Sequence, residues 1–273
     1  MTRVMNGHRP ATMLVTINVH GIGPEAATEP QSALYGRFAH GRYTYGGGLA
    51  RVLDMLKRQE IAATFFWPVF EAERCPALLQ RCLDEGHEVA SHGNAFEDLS
   101  TLGDAERDVL ETARDRLAAL CGGGAGARPA GFRASNGGFS PRTLEHLSEL
   151  DYRYDSSAID DDAPYKLAAD GGGAMIELPW SEGLCDATHF SRRVTQDRAY
   201  AHFLQEFDAL IDVDGYACLT LHPRADKGVG RAARLVMVEE FLAHARERAS
   251  VEFRRCRDVA LSGDDAAMAS AKR

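Results

Sequence analysis

Three histidines, an arginine and an asparagine fall where short apolar runs of this chain give way to turns. Asn18 and His20 close ATMLVTINVH, His92 closes EVASH, Arg133 closes AGFR and His222 closes YACLTLH. Trp67, Asp155 and Trp180 stand at the ends of three further proposed strands. Imidazoles move protons near neutral pH, a guanidinium holds oxygens, and aromatic rings wall a small ligand. Each residue alone has a plainer reading. His92, just before Gly93, could bond a backbone carbonyl, His222 before Pro223 could finish a strand, Arg133 could be a surface ion-pair partner, and Trp180 could be core. Their joint occurrence at the carboxyl ends of strands favours a small-molecule site, because parallel strands deliver those ends to one mouth.

The elements that must position them alternate. ATMLVTINV reads as a buried strand, LARVLDMLKRQE as a helix, IAATFFWP as a strand, CPALLQRCLDEG as a helix with Pro76 in its first turn, and EVAS as a strand. A long helix over 104–120, the short strand AGFRAS and the helix SPRTLEHLSELD follow, the last with Ser140 as its cap. AMIELPW and YACLTLHP then flank a helix over 197–212, a helix spans 235–248, and SVEFRRCRDVA supplies a last strand. This density of alternation predicts a mostly parallel α/β sheet. About seven units without a dinucleotide-binding glycine fingerprint favour a barrel in a single domain over 12–262. The glycine run 122–129 reads as a flexible connection, residues 21–45 and 156–175 as loops over the mouth, and 263–273 as a disordered tail.

The bulk properties narrow the partners. A net charge of −9 over 273 residues gives no basic face for nucleic acid. The apolar runs are too short to span a membrane, and MTRVMNGHRP lacks an apolar signal core, so a cytoplasmic protein is expected. The six cysteines form no CxxC pair and read as free thiols in a reducing compartment. A small-molecule substrate is the expected partner, and a homo-oligomer is compatible with the sequence.

SHGNAFEDLSTL, AGFRASNGGFSPRTLEHL, YRYDSSAIDDDAPY, IELPW and LTLHP, in this order, resemble the polysaccharide deacetylase (NodB-like) superfamily, from about Thr16 to about Ala260. The resemblance implies a distorted (β/α) barrel and a hydrolase acting on C–N bonds other than peptide bonds. In metal-dependent members of that family an aspartate and two histidines of an H-G-x-x-H stretch hold a zinc-type cation. A second aspartate acts as base, and the histidine of the LxH stretch as acid. Here His92 matches the first metal histidine, but Phe96 stands at the second, Asn18 at the base aspartate and His20 at or near the metal aspartate. Arg133 matches the arginine that steadies the base, His222 the acid, and Asp186 the carboxylate that orients it.

NVHGIGPE, YTYGGGLARVL and HGNAF are similar to the metal-independent allantoinase and cyclic-imide hydrolase branch. That likeness implies hydrolysis of a small cyclic imide or ureide with no cofactor required. Water would be placed by Asn18 and deprotonated by His20 or Glu25. Backbone N–H groups near His92 and Gly93, or a weakly held metal, would hold the oxyanion. His222 would protonate the leaving nitrogen, with Asp186 or Asp155 fixing its tautomer. Arg133 would be free to bind a substrate carboxylate, and Phe96, Trp67, Tyr45 and Trp180 would wall the ring. Two alternatives stand beside it. One is a metal-dependent N-deacetylase of an acetamido sugar or natural-product intermediate, with zinc on His20 and His92 and a third ligand from Glu25 or Asn18. The other is an inactive ligand-binding homologue.

Overall fold

The computed structural model describes residues 10–124, 127–168, 174–248, 251–262 and 269–272. Its strands are β1 (Ala11–Asn18), β2 (Thr64–Trp67), β3 (Glu88–Ser91), β4 (Gly131–Phe132), β5 (Tyr154–Asp155), β6 (Tyr165–Ala168), β7 (Ala174–Glu177), β8 (Tyr216–Leu221), β9 (Val251–Arg254) and β10 (Ala269–Lys272). Its helices are α1 (Gly23–Ala26), α2 (Leu49–Arg58), α3 (Val69–Ala72), α4 (Pro76–Asp84), α5 (Glu106–Leu120), α6 (Thr143–Glu149), α7 (Asp186–Ser191), α8 (Gln196–Val213), α9 (Ala232–Glu247) and α10 (Cys256–Leu261).

The central path of the sheet runs β7-β5-β4-β3-β2-β1-β8, every pair parallel, which gives the expected seven-stranded frame. Between β8 and the β7 side, a single bridge, Cys185 to Thr220, replaces a strand pairing among the described residues. The barrel is therefore distorted, with its seam beside β8. β9 pairs with the first half of β1, below the site. β6, inside a stretch expected to be loop, pairs antiparallel with β7. β10 returns to β6, where a disordered tail was expected; 263–268 and 273 lie outside the described residues.

Parallel strands covered on both faces are apolar on both, and their two residue sets separate cleanly here. Leu14, Phe66, Ala90, Tyr154 and Cys218 pack together inside the barrel. Met13, Val15, Ile17, Phe65 and Trp67 pack outward under the helices. The inward set continues upward from Leu14 through Thr16 to Asn18, so the interior turns polar towards the carboxyl ends. α4 ends at Gly86, whose φ of +78° is the left-handed stop a glycine accepts without strain. In α6, Ser140 and Pro141 stand before the helix, not in it. The Ser140 and Thr143 hydroxyls both donate to the buried Glu106, which pins that turn to α5. Among the described residues no helix is long and apolar enough to cross a membrane.

Candidate active site

The ladder carries most of the site residues past the strand ends. His92 N–H donates to Trp67 O at 3.0 Å, Arg133 N–H to Ser91 O at 3.0 Å and Ser156 N–H to Phe132 O at 3.0 Å. Each residue follows its strand by one position, so its direction is fixed by sheet geometry. His222 follows β8 at the seam, where no strand is available. Its N–H donates instead to Asp186 Oδ2 at 2.8 Å, and so does Val229 N–H at 3.0 Å. The first residue of α7 thus completes the barrel at its gap.

Arg133 is 2% exposed and fully occupied. Its Nε donates to Ser156 O at 2.7 Å and its Nη2 to Ser156 Oγ at 2.7 Å. Nη1 reaches Thr16 Oγ1 and Asn18 Oδ1, both at 3.0 Å. The guanidinium carbon stands 4.1 Å from the centre of the Phe66 ring. No fork is left for a substrate carboxylate, so that expectation is corrected: Arg133 orients Asn18.

The proton positions follow from these bonds. Asn18 Oδ1 accepts from Arg133, so Asn18 Nδ2 points at His222 Nε2, 3.3 Å away, and donates to it. His222 Nε2 is then unprotonated, and its proton lies on Nδ1, 2.7 Å from Asp186 Oδ1. Asp155, the other orienter considered, instead accepts from Ser157 N–H at 3.1 Å and Ser157 Oγ–H at 2.8 Å. The second histidine pair obeys the same logic. His92 Nδ1–H donates to Arg133 O at 2.6 Å, leaving its Nε2 as an acceptor. His20 Nε2, 3.0 Å away, must be the donor, and His20 Nδ1 is a buried acceptor without a partner.

Burial is the main reason both rings stay neutral. It pushes His92 down to about 3, helped by the nearby Arg133 charge and His222 and opposed by the bond to Arg133 O. His20 is held well below its ordinary value by burial first, then by His92, His222, Lys227 and Arg224. A ring this reluctant to accept a proton is a weak base at neutral pH. The sign for stability follows for His92: the unfolded chain protonates it near 6.5 and the folded chain near 3, so its share of stability is lost as pH falls through that window. We expect imidazole ¹⁵N shifts of His92 to report one neutral tautomer, protonated on Nδ1, from pH 8 to pH 5. A midpoint between 6 and 7 would contradict the assignment.

A cavity of about 460 Å³ opens over this floor, lined among others by Asn18, His20, Phe96, Arg133, Trp180 and His222. Phe96 meets the edge of the His20 ring with centroids 5.2 Å apart. The other expected walls lie elsewhere. Trp67 is fully buried on the outward face of β2, and His92 is fully buried behind His20. Tyr45, on the short helical segment Thr44–Gly48, braces the turn after β1: its hydroxyl accepts from Ile22 N–H at 3.0 Å and donates to Glu71, which accepts from Gly21 N–H at 2.9 Å and Gly23 N–H at 2.8 Å. A Cβ on Gly21 would stand 2.2 Å from the Tyr45 oxygen, so only glycine fits there. Glu25 pairs with Arg224 and is not among the cavity's lining residues, which removes it as a free base or ligand. Backbone donors near His92 are also occupied: His92 N–H by Trp67 O and, more loosely at 3.4 Å, Gly93 N–H by Ser91 Oγ.

These donors do not fit a catalytic zinc. Such a site needs three protein ligands and an open position. His20 and His92 share one proton between their Nε2 atoms, and Phe96 supplies no lone pair. Cys185, Asp186 and His222 also lie close enough to surround an ion, with ligand atoms within 4.8 Å of one another. Both Asp186 oxygens, however, already accept hydrogen bonds, and burial followed by the Asp186 charge pushes the Cys185 thiol up to about 11.

Several supporting residues escaped the sequence reading: Thr16 and Ser156 under Arg133, Glu71 under the β1 turn, and Lys227 and Arg192 in the cavity wall. Thr16 had a signal, since it lies two residues before Asn18 on the same face.

The family model for polysaccharide deacetylase matches residues 37–154. A peptidoglycan deacetylase of Helicobacter pylori is 31% identical over 132 residues, 48% of this chain and 44% of that protein. The chitooligosaccharide deacetylase of Sinorhizobium fredii is 45% identical over 65 residues, 23% of this chain and 30% of the relative. The chain thus spans less than half the length of these curated relatives. Among solved structures, a provisionally named polysaccharide deacetylase from Mycobacterium smegmatis is 27% identical, with TM-score 0.88 over 99% of this chain and 96% of that one. PuuE allantoinase superposes with TM-score 0.79 at 22% identity, over 94% and 91% of the two chains.

Proposed function

We infer that this chain, which belongs to the polysaccharide deacetylase (NodB-like) superfamily, is a hydrolase that opens a C–N bond of a small cyclic imide or ureide. The observation that carries the reading is the chain of bonds Asp186–His222–Asn18, ending at the floor of the cavity. A carboxylate behind Nδ1 keeps Nε2 unprotonated at the cavity floor, its lone pair accepting from Asn18 Nδ2–H until a water takes that donor's place. The acid expected at His222 therefore begins the cycle as a base.

Nε2 takes a proton from water as its oxygen bonds to the carbonyl carbon. Asn18 Nδ2–H, fixed by Arg133, is the donor beside that carbon and stabilises the oxyanion. The C–N bond then breaks, and Nε2–H returns the proton to the departing nitrogen. Ureide and imide nitrogens leave as resonance-stabilised anions, so this step needs no Lewis acid, whereas an unactivated acetamide would. Trp180 and Phe96 flank a flat ring.

Product formation across a panel of imides, ureides and acetamido sugars tests the reading. Turnover confined to acetamido sugars would defeat it, and a thermal shift without product would favour a ligand-binding role. Exhaustive chelation should leave kcat within about two-fold of its starting value, since the donor set lacks a third ligand. Loss of activity restored by zinc would overturn the metal-free scheme.

A further inference from the structure

The cavity's charge runs against that of the chain. The protein carries a net charge of −9, yet its lining includes Arg133, Arg192 and Lys227 against one carboxylate, Glu182. Arg133 is occupied below the floor. Arg192 and Lys227 are different: among the described residues neither side chain has a hydrogen-bond or ion-pair partner.

Both cations line the cavity on elements hydrogen-bonded to His222. Lys227, half-buried, rides the loop after β8, which folds back so that Val229 N–H donates to His222 O at 2.9 Å. A Cβ on Gly228 would lie 2.1 Å from His222 O, so the close approach requires glycine. Arg231 Nε donates to Ala225 O at 3.0 Å, and Arg234 Nη1 to Asp226 O at 2.9 Å and Gly228 O at 2.6 Å, which pins the loop's carbonyls. Arg192 follows α7, the helix that starts at Asp186. A half-buried ammonium on a braced loop, close enough to lower the basicity of His20, calls for an anion.

We propose that Lys227 and Arg192 form an anion subsite, and that the substrate is a cyclic imide or ureide bearing one carboxylate. Two unpartnered cations less one for Glu182 leave a single positive charge, which suits a carboxylate monoanion better than a phosphate dianion. The inference rests on the hydrolase reading for the ring and its reacting carbonyl. The anion preference can be measured as binding, without turnover.

The test is titration calorimetry with hydantoin-5-acetate and its neutral isostere hydantoin-5-acetamide, at low and high salt. The carboxylate should bind at least about ten-fold more tightly at low salt, with the margin shrinking as salt rises. Lys227→Met should reduce the margin to below about three-fold, and Lys227→Arg should keep most of it. Equal binding of the two probes, no binding of the carboxylate, or a margin that survives Lys227→Met overturns the subsite. A retained margin with no product from any imide or ureide would instead remove the hydrolase reading and leave the subsite standing.

Discussion

Replacing His222 with glutamine is expected to lower kcat on a good imide or ureide substrate by roughly 10²–10⁴-fold, the usual worth of a positioned acid–base group. The fold should survive. The backbone N–H of residue 222 keeps its 2.8 Å bond to Asp186 Oδ2, and β8 keeps its pairing to β1. Asp186→Asn gives the sharper test. An amide in that place can turn its NH₂ towards Nδ1, which moves the ring proton to Nε2. The imidazole then meets water with a donor instead of a lone pair, and a fall in kcat of similar order follows, roughly 10²–10⁴-fold, with KM little changed. The same substitution also puts an amide where Val229 N–H and His222 N–H need acceptors, so a thermal melt separates misfolding from a wrong tautomer. Wild-type kcat in a folded Asp186→Asn protein would mean that Nε2 does not act as the base.

The strand ends were legible because a parallel sheet leaves little freedom: a polar residue directly after an apolar run lands at the mouth. Asn18, His20, Arg133 and His222 reach the cavity on that logic. Trp67 and Trp180 show its limit. Both end apolar runs, yet Trp67 packs outward with Phe65 and Ile17 while Trp180 lines the cavity. When both faces of a strand are apolar, composition does not say which alternate residue points inward, and a one-residue difference reverses the answer. Glu25 failed for another reason. Its partner Arg224 is 199 residues away, and nothing near Glu25 announces that its carboxylate is already taken. Asp186 stood outside every strand end, and only likeness to a family pointed to it. Its role follows from the seam, a feature of three-dimensional closure that periodicity does not record. β6 was missed because four residues, YKLA, are too few to separate strand from loop.

Asn18→Asp should raise stability while it removes activity. Arg133 is a buried cation whose hydrogen bonds run to three hydroxyls, a carbonyl, an amide oxygen and a thiol. An aspartate at 18 would set a carboxylate 3.0 Å from Arg133 Nη1 with almost no change in shape. A charge-assisted bond there, less the cost of burying the new carboxylate, should stabilise the protein by roughly 1–2 kcal/mol, or about 2–4 °C in Tm for a chain of this size. The other aspartate oxygen would face His222 Nε2, where Asn18 Nδ2 now donates at 3.3 Å. A carboxylate in that place favours the imidazolium, so Nε2 holds its proton to higher pH and no longer offers a lone pair to water. The expected result is a higher melting temperature, a kcat at pH 7 reduced by about 10²-fold, and an acid limb of the pH–rate profile moved upward. The catalytic loss should shrink as pH rises and Nε2 is freed. That pair of results would identify the asparagine as a residue that gives up stability for activity, the form of trade expected of a working site. A variant that melts lower while turning over at the wild-type rate would show that the amide at 18 serves packing alone.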